Sequence, residues 1–239
     1  MDSLSAIILY TAAAGACIPL GGILASVERI QPRWLETEVR YFIIALGGGI
    51  LLGAVALVLV PAGTRHLDNP AAAVAMLITG GLLFFLLEWL LGRSKRESPQ
   101  LTGMLLDYLP ESMALGGLMA VGQGAAPLLA LLIGLQNLPE GFNAFRELNR
   151  HEHNARKTLT TMALLVPLGP FFGVVGYLFL DGYRELLGSI LLIASGGILY
   201  LIFQDIAPQA KLRRHWAPPL GAVFGFALAL TGSLLVGHG

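Results

Sequence analysis

The sequence predicts an all-α, polytopic integral membrane protein with eight transmembrane helices, and three observations carry that prediction. Of 239 residues, 55% are hydrophobic and only 13% charged, against about 25% charged in an ordinary soluble domain. The charges are clustered, leaving apolar runs of about 20 residues, the length that crosses a hydrocarbon core. Eight such runs can be placed, at 4–27, 39–62, 71–92, 101–123, 126–146, 158–180, 186–206 and 218–236. The third observation is how the basic residues alternate between connectors. The chain, 1–239, therefore reads as one transmembrane domain.

Turn and charge signals bound each run: Glu28 to Arg40, Gly63 to Pro70, Gly92 to Gln100, Gly122-Gln123-Gly124, Glu147 to Lys157, Asp181 to Glu185, and Lys211 to Pro218. The odd-numbered connectors hold Arg29, Arg33, Arg40, Arg93, Lys95, Arg96, Arg146, Arg150, Arg156, Lys157, Lys211, Arg213 and Arg214; the even-numbered ones hold only Arg65 and Arg184. That is 13 against 2 and accounts for all 15 basic residues. Because positive loops stay inside, the odd connectors are expected in the cytoplasm and both termini outside, in a plasma (inner) membrane. A misplaced span would scramble the alternation, so the same count supports eight helices.

The start, Met1-Asp2-Ser3, lacks the basic stretch of a cleaved signal, so the first helix is expected to stay. Cys17 is the only cysteine, which excludes an intrachain disulfide and a thiolate metal cluster, and it reads as a small apolar residue. Gly49 and Gly53, Gly169 and Gly173, and Gly221 and Gly225 have the spacing of close helix contacts. Spacing leaves open whether those contacts lie within one chain or between two.

Five acids fall inside spans or at their ends: Glu88, Asp107, Glu111, Glu140 and Asp205. Interfacial solvation accounts for Glu88 and Asp205, near the ends of helices three and seven. Glu111 lies near the middle of helix four; Gln136 is central in helix five, with Glu140 one turn on. An ionisable residue at that depth costs about 2.5–3.5 kcal/mol on insertion scales, so a cation, a proton or water must offset it. Asp107 and Glu111 are four apart, as are Gln136 and Glu140, so each pair shares a helix face. Asn143 extends the second face.

Asp-Tyr-Leu-Pro-Glu-Ser at 107–112 and Gln-Asn-Leu-Pro-Glu-Gly at 136–141 form an internal repeat offset by 29 residues. Each proline removes the hydrogen bond to the carbonyl four residues back, Leu106 or Leu135. Broken backbone of that kind is tolerated at membrane depth where it lines a cavity. Two such helices bring together oxygen ligands suited to a hard or borderline divalent cation.

The motif Gln136-Asn137-Leu138-Pro139-Glu140-Gly141 resembles the His-Asn-x-Pro-Glu-Gly signature of the ZIP (Zrt/Irt-like) metal transporters, and 107–112 resembles the preceding helix's version of it. Leu46-Gly47-Gly48-Gly49-Ile50-Leu51-Leu52-Gly53 with Val60-Pro61-Ala62 is similar to the family's second helix. Ser195-Gly196-Gly197-Ile198-Leu199-Tyr200 with Ala207-Pro208-Gln209 is similar to its seventh. The resemblance implies a metal site between helices four and five made by Asp107, Glu111, Gln136 and Glu140, with Asn137 and Asn143 as further candidates. It also implies a ZIP-like bundle, uptake towards the cytoplasm and a homodimer.

The chain departs from the family where histidine is usual, carrying Asp107 and Gln136 instead. Some relatives hold a second ion with polar residues at the positions of Tyr108 and Asn137 and a Glu before a Pro in helix six; that last position is Val166 here. The third connector contains no histidine. His151 and His153 read as residues of a solvated loop, and His66 as a surface residue on the outer side.

The expected function is transport of divalent metal ions, Zn²⁺ with Mn²⁺, Fe²⁺ or Cd²⁺ as possible substrates, with no prosthetic group. Oxygen-only ligands narrow zinc's lead over Mn²⁺ and Fe²⁺. Uptake should weaken in acid, because carboxylates must be ionised to hold the ion. The expected partners are the lipid bilayer and the ion, with no nucleic acid. A transport-inactive ZIP-like protein with a structural, metal-sensing or regulatory role is the alternative. The chain is not read as an enzyme: it has no HExxH, no GxSxG, and no Ser or Cys nucleophile beside a base.

Overall fold

A computed structural model describes residues 3–28, 33–92, 99–122, 124–210 and 217–237. Seven of the basic residues counted above, Arg29, Arg93, Lys95, Arg96, Lys211, Arg213 and Arg214, lie outside the described residues, as do Gln123 and both chain ends. All the described elements are helical, and they form eight rods. These are α1 (Ser3–Val27), α2 (33–65), α3 (Pro70–Gly92), α4 (Pro99–Ala120), α5 (Ala126–Glu152), α6 (Ala155–Leu180), α7 (Arg184–Gln209) and α8 (Leu220–Gly237).

Five of the rods, α1, α2, α3, α6 and α7, are long and apolar enough to cross a membrane, and α8 is a shorter apolar helix. The two that fall short are α4 and α5. Their polar side chains at 107–112 and 136–143 dilute the apolar run.

Four helix pairs pack most closely: α1 with α5, α2 with α8, α4 with α6, and α3 with α7. Helices α4 and α5 also pack on each other, and α2 covers α5. Glycines set the close approaches. A Cβ on Gly49 or Gly225 would strike backbone of the partner in the α2–α8 pair, and one on Gly53 would strike the Ala229 side chain. Gly169 and Gly173 face α1 and Tyr108. The glycine spacings thus serve contacts within one chain.

Successive rods run in opposite directions. An ion pair at 3.1 Å between Arg146 and Glu28 places the first and fifth connectors at one end. His66 packs on Gly188, so the second and sixth connectors lie at the other.

Several helix ends differ from the sequence expectation. α5 continues to Glu152, so His151 and Glu152 belong to the helix and not to a long loop. It stops at His153, whose φ of 50° is left-handed, and Asn154 then accepts the Lys157 N–H to start α6. α2 begins at Arg33, six residues before the expected start, and α7 reaches Gln209.

Helices α2 and α7 each contain one wide π turn, Val55–Leu59 and Ile202–Ile206. A proline follows each, at Pro61 and Pro208. A proline ring clashes with the carbonyl four residues back. The helix relieves that clash by widening, so Val60 N–H bonds Val55 O and Ala207 N–H bonds Ile202 O, five residues apart. In α6 a proline acts more sharply: the helix breaks between Leu165 and Leu168, around Pro167.

Candidate cation site

Helix periodicity turns Asp107 and Glu111 to one side of α4, and Gln136, Glu140 and Asn143 to one side of α5. Packing then faces the two sides together, and the Gln136 amide donates to a carboxylate oxygen of Glu111. Asp107, Glu111, Gln136, Asn137 and Asn143 are buried. The Glu140 residue is only half-buried, but both of its carboxylate oxygens are enclosed. Each of the three carboxyls lies within Coulombic reach of the other two.

The seam is dominated by acceptors. Among the described residues, Asp107 Oδ1, Glu111 Oε1, Gln136 Oε1, Asn137 Oδ1, both Glu140 oxygens and Asn143 Oδ1 are buried and accept no hydrogen bond from an N–H or hydroxyl group, and the Asp107 and Glu140 carboxyls stand close enough to share a proton. The amide donors are spent elsewhere: Asn137 Nδ2 on Ala14 O at 2.9 Å, and Asn143 Nδ2 on Pro139 O at 2.9 Å. An unpartnered buried acceptor costs about 1–3 kcal/mol, and only a donor or a cation relieves it. Ionised carboxylates gathered in one seam repel one another, and a counter-cation offsets that repulsion.

The seam opens in one direction. Asp107 and Glu140 share the wall of a cavity of about 50 Å³ with Gly103, Asp205 and Gln209, room enough for a water-sized guest. Towards the other end it is closed. Leu115 and Leu118 of α4, Leu129, Leu132 and Ile133 of α5, and Leu59 of α2 are all fully buried in one apolar cluster.

The sequence reading missed Asp205. Its place near a helix end suggested a solvated interface, but the π turn carries it into the cavity wall with Asp107 and Glu140. The proline three residues later was the available clue. Buried Ser112 and Thr11 were also passed over. His66 stands at the far end of the molecule. Burial, then the charges of Arg184 and Arg65, hold its pKa below the ordinary imidazole value, and two guanidiniums make a poor landing point for a divalent cation. Among the described residues no three His, Cys, Asp or Glu side chains converge closely enough to hold a metal ion as they stand. A complete ligand set would therefore have to include the amide oxygens.

No protein-family model and no curated protein sequence matches the chain.

Proposed function

We propose that the chain is an eight-span membrane protein that carries divalent metal ions along the α4–α5 seam, as a divergent member of the ZIP family. The observation that supports this most is the row of seven buried oxygens on Asp107, Glu111, Gln136, Asn137, Glu140 and Asn143 that no N–H or hydroxyl satisfies. Carboxylate and amide oxygens are the donors that hard and borderline divalent cations take. An ion seated there would neutralise the crowded carboxyls and fill the empty lone pairs. The cavity beside Asp107, Glu140 and Asp205 would lead it to the end holding the odd-numbered connectors.

The donor set fits such a substrate on one condition. Gln136 donates to Glu111 in the structure, so its amide must turn to offer Oε1 to an ion. Without that turn the bond closes the site, which favours a second reading: a transport-inactive, metal-sensing or regulatory relative. Flux separates the two. Wild-type protein in proteoliposomes should take up Zn²⁺ or Mn²⁺ saturably and a Glu140→Ala control should not; no flux in either would leave the regulatory reading.

Two further results are expected. Tags within 147–157 should be cytoplasmic and a tag after Gly239 external, because 13 of the 15 basic residues fall in odd-numbered connectors of the sequence. Protease protection of an internal C-terminus would reverse the orientation. Asp107→His should shift competition towards Zn²⁺ over Mn²⁺, since imidazole favours zinc. An unchanged Zn²⁺/Mn²⁺ ratio would mean that Asp107 does not touch the ion.

A further inference from the structure

Tyr108 follows Asp107 in sequence and stands about 100° round the same helix, away from α5. It is among the largest side chains with no exposed surface. Its hydroxyl reaches two backbone carbonyls on different helices, Thr11 O of α1 at 3.4 Å and Val166 O of α6 at 3.3 Å. The Val166 carbonyl is placed there by the break at Pro167. Two glycines make the seat. A Cβ on Gly15 or on Gly169 would run into the Tyr108 hydroxyl oxygen.

A phenol has only two side-chain torsions, so a ring clamped at its tip holds the rotation of the helix that bears it. α4 cannot turn on its axis without drawing the hydroxyl from between α1 and α6. The same turn would swing Asp107 and Glu111 away from Gln136 and Glu140. α1 makes a matching tie to the other helix of the seam, because Ala14 O accepts from Asn137 of α5. Residues 11–15 of α1 therefore hold both α4 and α5.

We propose that Tyr108 is the positioning residue of the cation seam: its hydroxyl, seated between Thr11 and Val166 in the notches of Gly15 and Gly169, sets the rotation of α4 that turns Asp107 and Glu111 towards α5. Tyr108 touches no ion in this role. Its effect on uptake rests on the transport reading, whereas its effect on geometry does not.

The test uses Tyr108→Phe in the full chain, which keeps the ring and removes the hydroxyl. One neutral hydrogen bond is at stake, so the Zn²⁺ concentration for half-maximal uptake into proteoliposomes should rise about fivefold, with the maximal rate and the amount of inserted protein unchanged. The second readout needs no ion. In a Cys17→Ser background, Glu111→Cys with Gln136→Cys places thiols where the two side chains now bond. Oxidative cross-linking of that pair should slow by a similar factor, about fivefold, when Tyr108→Phe is added. Gly169→Ala, which crowds the hydroxyl seat, should slow it too. Unchanged cross-linking in both variants overturns the proposal, and so does an unchanged half-saturation in a transporting protein. If the wild type takes up no Zn²⁺, the transport reading falls and the cross-linking rates alone decide the role of Tyr108.

Discussion

Glu111→Ala and Glu140→Ala should each abolish saturable divalent-cation uptake while leaving the protein inserted and folded. The two carboxylates come from different helices, α4 and α5, and with Asp107 they supply the carboxyls of the seam. Removing one partner from a buried charged set costs about 3–5 kcal/mol, more than a hundredfold in affinity. Folding should not suffer in proportion. No N–H or hydroxyl donates to Glu140 Oε1, Glu140 Oε2 or Glu111 Oε1 among the described residues, so alanine at 140 leaves no such donor stranded and takes from Asp107 only a carboxyl with which it can share a proton. At Glu111 it frees one amide donor of Gln136. Gln136→Ala should be milder, lowering affinity with flux retained, because the residue brings no charge. Isotope uptake into proteoliposomes and the thermal unfolding of the purified protein together check these statements. Normal saturable uptake by both Glu→Ala variants would place the ion path elsewhere.

Gly141→Ala should destabilise the protein by about 3 kcal/mol, at the upper end for overpacking, and should depress uptake with it. A Cβ at Gly141 would meet the backbone of Ile18, and one at Gly21 the backbone of Leu138 and Phe142. The α1–α5 pair therefore meets backbone to backbone on both sides, and no side-chain rotamer can make room. The helices would have to part, and Gly141 is next to Glu140, so the seam would move as well. Gly134→Ala, on the same helix, supplies the comparison. Its Cβ would lie 3.5 Å from Cys17 Sγ and 3.6 Å from Ala14 Cα, ordinary contact distances, and the variant should unfold near the wild-type temperature. Equal unfolding temperatures for Gly141→Ala and Gly134→Ala would contradict this account of the interface.

The existence and approximate ends of the helices were legible in the sequence, because apolar run length and turn residues act locally. So was the sharing of a helix face by Asp107 with Glu111 and by Gln136 with Glu140: a separation of four residues turns two side chains the same way whatever packs around them. Cap geometry was less legible. His153 ends α5 in a left-handed conformation, and nothing in Arg150-His151-Glu152-His153 distinguishes that position from its neighbours.

Tertiary structure decided the remainder. A repeated Pro-Glu motif does not specify that Gln136 donates to Glu111, since that depends on the rotation and relative height of two helices 29 residues apart in register. Nor does the sequence distinguish Asp205 in a cavity wall from Asp205 at an interface. One extra residue in the π turn before Pro208 moves it round the helix, and a regular 3.6-residue count misses that step. Tyr108 reads as one more aromatic residue until Thr11 and Val166, 97 and 58 residues away, are brought to its hydroxyl. Helix periodicity sets which residues share a face; which face meets which is set by close packing through Gly21, Gly49 and Gly141, and that is a property of the whole bundle.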